Sequence, residues 1–114
     1  MRIIVTGGRD YSARQRLFDT LDAIADGAPI ELVAEGGASG ADALARDWAT
    51  SRRIPTVQYR AQWDTYGPSA GPRRNGEMLR DVRPDLVVAF PGGRGTADMV
   101  KKAEHAGVPV RRVE

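Results

Sequence analysis

The sequence predicts an α/β fold in which a single doubly wound parallel sheet of about five strands has helices on both faces. Short apolar, β-branched runs alternate five times with segments of helical spacing, which is the pattern of a parallel sheet with right-handed crossovers. Three of these runs end directly in glycine-rich turns, as strands do where they lead into a helix. We expect the strand order 3-2-1-4-5, in which the winding reverses between the first and fourth strands.

The first half of the chain supplies three strands and two helices. The strands are expected at Arg2–Val5, Ile30–Ala34 and, shorter, Thr56–Tyr59. Ser12 is followed three residues later by glutamine, which is capping-box spacing and predicts that Ser12 caps the first helix. Gly27 is a natural stop for that helix. Apolar residues recur at helical spacing at Leu17, Leu21 and Ile24 in the first helix and at Leu44, Ala45 and Trp48 in the second.

The second half supplies two more strands and their helices. Residues from Arg60 to Gly71 are expected to be the longest irregular piece, after which Pro72 opens a helix. Asp85–Phe90 is the fourth strand and Ala97–Ala106 the helix after it. Val108–Val113 is the last strand, and its proline predicts a sheet edge because proline has no N–H for a ladder.

Length and composition limit the classes of protein. The 114 residues predict one domain, spanning 1–114. No run approaches the ~18 apolar residues of a membrane span, so we expect a cytoplasmic protein without membrane contact. The absence of cysteine and the single histidine, His105, argue against disulfides, thiolate nucleophiles and metal sites. A net charge of +2 does not indicate a nucleic-acid partner.

Three glycine-rich turns predict an anion site at the carboxyl ends of the strands. We name them the first glycine loop (Thr6–Tyr11), the second (Glu35–Asp42) and the third (Pro91–Thr96). Glycine lets backbone N–H groups approach a ligand closely, and a helix N-terminus carries partial positive charge. Because none of the loops is a P-loop or a G-x-G-x-x-G fingerprint, we expect a phosphate-bearing ligand rather than ATPase or NAD dehydrogenase chemistry.

Arginines provide the side chains that suit phosphate. Arg9, Arg73, Arg74 and Arg94 are expected near the site, where their guanidinium groups would bind phosphate bidentately. For Arg73 and Arg74 the alternative is a solvated helix face, because exposed arginines are common on any protein. Arg94 lies within the third glycine loop itself.

Aromatic and acidic residues near the loops have two interpretations each. Trp63 and Tyr66 would either stack on a base or pin their loop to the body of the protein. Asp42 would either contact the ligand or cap the second helix, and Asp98 lies in a first helical turn, where an acid is favourable in any protein.

Four motifs in order resemble those of the SLOG superfamily, and most closely its small YspA-like members. SLOG proteins are Rossmann-like and are related to Smf/DprA and to the Lonely Guy phosphoribohydrolases. The resemblance covers nearly the whole chain. Its motifs are Val5–Tyr11, Glu35–Asp42, Gly71–Asn75 with Met78 and Leu79, and Phe90–Thr96.

The resemblance implies binding of a nucleotide or nucleotide-derived ligand, with no obligatory cofactor, by a homodimer or larger assembly. The phosphate would lie on the Pro-Gly-Gly loop. The residues expected to contact the ligand are Gly7, Gly8, Arg9, Asp10, Glu35, Gly36, Gly37, Ser39, Gly40, Asp42, Arg73, Asn75, Pro91, Gly92, Gly93, Arg94, Gly95 and Thr96.

The relation to Lonely Guy enzymes, which cleave N-glycosidic bonds of nucleoside monophosphates, raises the question of catalysis. Their motif Pro-Gly-Gly-x-Gly-Thr-x-x-Glu places a glutamate where this chain has Met99. Asp98 comes one residue earlier, about 100° around a helix; Asp98 and Glu77 are the carboxylates considered as substitutes.

Three functions follow from these observations. The leading hypothesis is a nucleotide-binding sensor or sequestering module, and the alternative is an N-glycoside hydrolase. A third, single-stranded DNA handling, needs a basic track and stacking aromatics, and the near-balanced charge argues against it.

Overall fold

The computed structural model describes all residues from 1 to 114 and contains one parallel sheet. Its five strands lie in the order β3-β2-β1-β4-β5, and each neighbouring pair is parallel. The predicted fold class and strand order are therefore confirmed, including the edge position of the last strand. The strands are β1 (Arg2–Thr6), β2 (Leu32–Glu35), β3 (Thr56–Gln58), β4 (Leu86–Ala89) and β5 (Val110–Arg112).

Five α-helices and one 3-10 turn connect the strands. The segment from Arg60 to Gly71, predicted to be irregular, contains a short helix, the 3-10 turn and the start of the next helix. None of the helices combines the length and apolar character needed to cross a bilayer. The helices are α1 (Arg14–Gly27), α2 (Ala41–Ser51), α3 (Trp63–Tyr66), α4 (Ala70–Val82) and α5 (Arg94–His105), and the 3-10 turn is Gly67–Ser69.

Three predicted helix starts are wrong, and the first of them is that of α4, which begins at Ala70, two residues before the predicted Pro72. Ser12 does not cap α1: Ala13 is the N-cap residue, and no side chain bonds to the helix end. The chain turns one residue later than the capping box requires, and the Ser12 carbonyl accepts the Arg14 N–H at 2.8 Å. The last helix begins at Arg94, three residues before the predicted Ala97, so the third glycine loop runs directly into its first turn.

Alternate residues of the strands pack into two cores on opposite faces of the sheet. Ile3 and Val5 face α1 and α2, whereas Ile4 between them faces α4 and α5, as the two-residue period of a strand requires. Trp48 is fully buried in the first core, and its indole N–H donates to Asp22 at 2.9 Å. The two cores hold the loops at the carboxyl ends of the strands in position.

Candidate functional site

A cavity of about 600 Å³ lies at the carboxyl ends of the strands, where β1 and β4 are neighbours and the winding reverses. The first and third glycine loops meet beside it, and the Gly8 N–H donates to the Pro91 carbonyl at 2.9 Å. This is the position at which doubly wound sheets bind ligands. Of the residues singled out from the sequence, those that line the cavity are Gly7, Gly8, Arg9, Asp42, Trp63, Arg74, Asn75, Gly93, Arg94, Gly95, Thr96 and Asp98.

The N-terminus of α5 is open toward this cavity. The first hydrogen bond of the helix runs from the Ala97 N–H to the Gly93 carbonyl at 3.0 Å, and no side chain caps the helix. The N–H groups of Arg94, Gly95 and Thr96 therefore have no partner within the helix. A Cβ atom added at Gly93 or Gly95 would meet nothing within 4 Å, so space remains beside these donors for an anion.

The N-terminus of α2, in contrast, is closed by the first glycine loop. The Ala41 N–H donates to the Gly8 carbonyl at 3.1 Å, and the Ser39 hydroxyl donates to the Arg9 carbonyl at 3.1 Å. A Cβ atom at Gly40 would collide with the carbonyls of Gly8 and Arg9. The contact between the two loops therefore takes the place that a ligand would need at this helix end.

The N–H groups of the second glycine loop are used by its own carboxylates. Asp42 accepts the N–H groups of Gly36 and Ala38 through Oδ2, at 3.2 Å each, and Glu35 accepts the Gly37 N–H at 2.6 Å. The suggestion that Asp42 caps the second helix is thus wrong, because its carboxylate turns back to the loop and the N-cap residue is Gly40. The hydrogen bonds of these backbone N–H groups therefore stabilise the conformation of the second glycine loop.

Glu35 is a fully buried carboxylate at the end of β2. Its Oε1 atom lies 3.6 Å from Nη1 of Arg46, and its Oε2 atom has no hydrogen-bond partner. Burial raises the pKa of Glu35, and the negative charge of Asp42 adds to the increase, while the Gly37 N–H acts in the opposite direction. Burial also raises the pKa of Asp42.

The raised pKa of Glu35 predicts a pH-dependent cost in stability. The folded protein holds this proton more tightly than the unfolded chain, whose glutamate pKa is about 4.3, so the free energy of unfolding falls as pH rises from that value through the folded-state pKa. We expect Glu35→Gln to gain stability relative to the wild type over this range. Urea unfolding of both proteins at several pH values measures the difference in their free energies of unfolding. A difference that does not change with pH would contradict this prediction.

Arg74 fastens the second glycine loop to α4. Its Nη1 atom donates to the carbonyls of Gly36 at 2.9 Å and Tyr59 at 3.2 Å, and its Nε atom donates to Oδ1 of Asn75 at 2.9 Å. The guanidinium occupies the space that a side chain at position 36 would fill. Burial lowers the pKa of Arg74, whereas the nearby Asp42 carboxylate raises it. Arg74 is thus mainly structural at the wall of the cavity.

Asn75 and Asp98 hold the first turn of α5 against α4. The buried Asn75 amide donates to the Gly95 carbonyl at 3.2 Å and to Oδ2 of Asp98 at 3.0 Å. Lys102 donates to Oδ1 of Asp98 at 2.6 Å. Burial raises the pKa of Asp98, but the hydrogen bonds from Lys102 and Asn75 outweigh it and hold the pKa below its ordinary value. Asp98 is therefore an ionised carboxylate at the cavity wall.

Position 99 of α5 faces away from the cavity. Met99 is 1% exposed and packs in the second core beside Ile4 and Val87. The Asp98 side chain, 27% exposed, is the acid of α5 that lines the cavity. A glutamate at position 99 would have to enter this apolar core.

Trp63 forms part of the cavity wall and is 45% exposed. The Arg9 guanidinium carbon lies 5.6 Å from the centre of its indole ring, a cation–π distance. The ring edge lies against Gly71, where an added Cβ atom would approach it to 3.1 Å. The absence of a side chain at Gly71 thus lets the indole lie close to α4.

Other residues singled out from the sequence lie elsewhere. Arg73, Glu77 and Tyr66 line a separate groove beside β3, where the Arg73 guanidinium stacks on Tyr66 at 4.4 Å. Asp10 is exposed outside the cavity lining. Pro91 and Gly92 belong to the third glycine loop but do not line the cavity; a Cβ atom at Gly92 would collide with Oγ1 of Thr96. Thr6 and Ala38, which belong to the first and second glycine loops, also line the cavity, and so does Pro68, which lies outside all three loops.

A larger groove of about 910 Å³ lies between α4 and α5. Arg80, Arg83, Lys101, Lys102 and His105 surround it, which no motif in the sequence indicated. It contains no glycine loop and no helix N-terminus, so it lacks the backbone N–H donors that favour a phosphate in the smaller cavity.

Comparison with known proteins agrees with the sequence motifs. The sequence model of the YAcAr family, described as the YspA, cpYpsA-related SLOG family, matches residues 1–66. The chain is 38% identical to the Gene 61 protein of Mycobacterium phage D29, over 96% of this chain and 93% of that protein.

A solved structure shares the fold. A crystal structure of UDP-N-acetylglucosamine 2-epimerase superposes on all of this chain with a TM-score of 0.58 at 16% identity, and the chain spans 33% of that epimerase chain. At this identity the likeness concerns the fold alone. The predicted resemblance is confirmed by the family match, and the chain belongs to the YspA, cpYpsA-related SLOG family.

Proposed function

We propose that the cavity between the first and third glycine loops binds a nucleotide or nucleotide-derived ligand, and that the protein acts as a sensor or sequestering module. The observation that carries the proposal is the open N-terminus of α5, which has unused N–H donors and no capping side chain. Backbone N–H groups at a helix N-terminus favour a phosphate through hydrogen bonds and the helix dipole together.

The surrounding residues supply the other contacts of a nucleotide site. Arg94 in the first turn of α5 carries a guanidinium that suits phosphate oxygens, and Trp63 offers an indole face to a base. Asp42 and Asp98 are the carboxylates that line the cavity, and Asp98 would accept hydrogen bonds from ribose hydroxyls. A volume of about 600 Å³ lies inside the range of roughly 300–1,000 Å³ for small-molecule sites.

Nucleotide binding is tested on the purified full chain. Denaturing the protein and analysing the supernatant by mass spectrometry identifies any nucleotide that copurifies, and thermal melting is then followed with AMP, ADP-ribose and NAD. We expect at least one of them to raise the Tm, because a ligand at 100 times its Kd adds about 2.7 kcal/mol to stability. The absence of both a copurified nucleotide and any Tm shift would refute the proposal.

N-glycoside hydrolysis is a second candidate, favoured by the ionised Asp98 at the cavity wall. A carboxylate at this place would stabilise positive charge that develops on the sugar. Its two oxygens are already hydrogen-bonded, to Lys102 and Asn75, and the binding proposal therefore predicts no release of base from a nucleoside monophosphate panel. Product that disappears in Asp98→Asn would establish the hydrolase instead.

A further inference from the structure

A smaller pocket of about 280 Å³ adjoins the candidate site along the carboxyl edge of the sheet. We call it the arginine pocket; beyond the residues it shares with the larger cavity, it is lined by Gly36, Gly37, Ser39, Arg60 and Ala61. The shared residues, which form the wall between the two spaces, are Arg9, Ala38, Trp63 and Arg74.

The arginine pocket carries positive charge, and no carboxylate is in direct contact with two of its guanidinium groups. The guanidinium groups of Arg9 and Arg60 form no ion pair or hydrogen bond within the chain, and that of Arg9 lies 5.6 Å from the centre of the Trp63 ring. No carboxylate lines the pocket. The charge of Glu35 interacts with that of Arg60, but without an ion pair, because Glu35 and Asp42 turn to the backbone N–H groups of the second glycine loop.

The backbone of the second glycine loop places Arg60 over the pocket. Gly37 has a φ of 77°, in the left-handed region that favours glycine. A Cβ atom at this position would lie 3.1 Å from Cγ of Arg60. The bare loop therefore leaves room for the stem of Arg60 to cross it and bring its guanidinium to the pocket.

We propose that the arginine pocket is a second anion subsite, and that the ligand is a nucleotide with two phosphate groups on different carbons of its sugar. This inference rests on the proposed function for its first phosphate, which lies at the N-terminus of α5. The second phosphate lies between Arg9 and Arg60, where guanidinium groups bind it bidentately. Arg9, Ala38, Trp63 and Arg74 line both spaces, so a nucleotide with its first phosphate in the larger cavity passes along these residues to place a second phosphate in the arginine pocket.

The test compares AMP with adenosine 3′,5′-bisphosphate by calorimetry at fixed ionic strength. For the wild type we expect the bisphosphate to bind about tenfold or more tightly than AMP, the effect of one additional charge-assisted contact. Arg60→Gln brings the ratio of the two dissociation constants close to one. Arg16→Gln, an exposed arginine on α1 outside both pockets, keeps the wild-type ratio. Arg60 is exposed, and unchanged thermal melting checks that its variant is folded.

Each outcome is decisive. A wild type that binds AMP but gains nothing from the second phosphate overturns this inference and leaves the proposed function standing. A ratio of the two dissociation constants that is unchanged in Arg60→Gln also overturns this inference. If neither nucleotide binds, the proposed function fails and the inference fails with it. A thymidine tetranucleotide serves as a further arm: binding tighter than the bisphosphate and dependent on Arg60 would assign the pocket to single-stranded nucleic acid and refute the small-molecule class.

Discussion

Gly95→Asp is expected to abolish nucleotide binding and leave the fold intact. Gly95 lies in the first turn of α5 at the cavity, with nothing within 4 Å of an added Cβ atom, so the new side chain fits. Its carboxylate would occupy the anion position and repel phosphate. We expect the affinity for AMP to fall by at least about 100-fold, since two like charges some 4 Å apart at a surface repel by about 4 kcal/mol.

The stability of the same variant is expected to be unchanged or higher. An acid in the first turn of a helix is favourable by about 0.3–1 kcal/mol. Gly95→Asn is the matched control, because it has nearly the same shape without the charge and is expected to bind much better than the aspartate variant. Calorimetry with AMP and thermal melting measure the two effects. Equal affinities for the aspartate variant and the wild type would show that the phosphate binds elsewhere.

Gly40→Ala is expected to produce the largest loss of stability among glycine substitutions in the loops. Gly40 has a φ of 72°, and its Cβ atom would collide with the carbonyls of Gly8 and Arg9. With a ψ of −128° this backbone lies outside the left-handed helical basin, in a region that glycine alone adopts readily, which costs a residue with a side chain about 1–3 kcal/mol. Overpacking against backbone adds about 1–3 kcal/mol. The collision would also separate Ala41 from the Gly8 carbonyl that accepts its N–H.

Gly107→Ala separates the two contributions. Gly107 has a φ of 74° but open space around an added Cβ atom, so it carries the backbone cost of about 1–2 kcal/mol without the collision. Urea unfolding of both variants gives the comparison. Equal losses for the two variants would contradict the view that the first and second glycine loops are packed directly on each other.

The architecture could be predicted because its determinants are local. The apolar runs of β1, β2 and β4, and the glycines directly after them, show in the sequence where strands end and turns begin. The short helix α3 was missed because its four residues are too few to show a helical period. The start of α5 at Arg94 was missed because glycines at Gly93 and Gly95 indicate a loop, although nothing crowds them in the first turn of a helix.

The candidate site could be predicted only in part, because it depends on contacts between distant segments. The second and third glycine loops look alike in sequence. In one, the donors are taken by Asp42, Glu35 and the Gly8 carbonyl, and in the other they remain free. Which of the two loops keeps free N–H donors depends on how β1 and β2 position their loops, and no local sequence pattern predicts this.

For neighbouring residues on a helix, too, the sequence alone does not show which one lines the cavity. Arg73 and Arg74 differ by about 100° around α4, and Arg74 alone of the two lines the cavity. Likewise Asp98 lines it while Met99 is buried. The sequence indicates that these residues lie near the site. Which of them lines the cavity depends on the rotation of each helix against the sheet.

We expect the N-terminus of α5 to hold the phosphate, and a crystal structure of the protein with AMP would show its position. Phosphate oxygens are expected about 3 Å from the backbone nitrogens of Gly95 and Thr96. A phosphate found instead in the groove between α4 and α5, beside Arg80 and Lys101, would contradict this expectation.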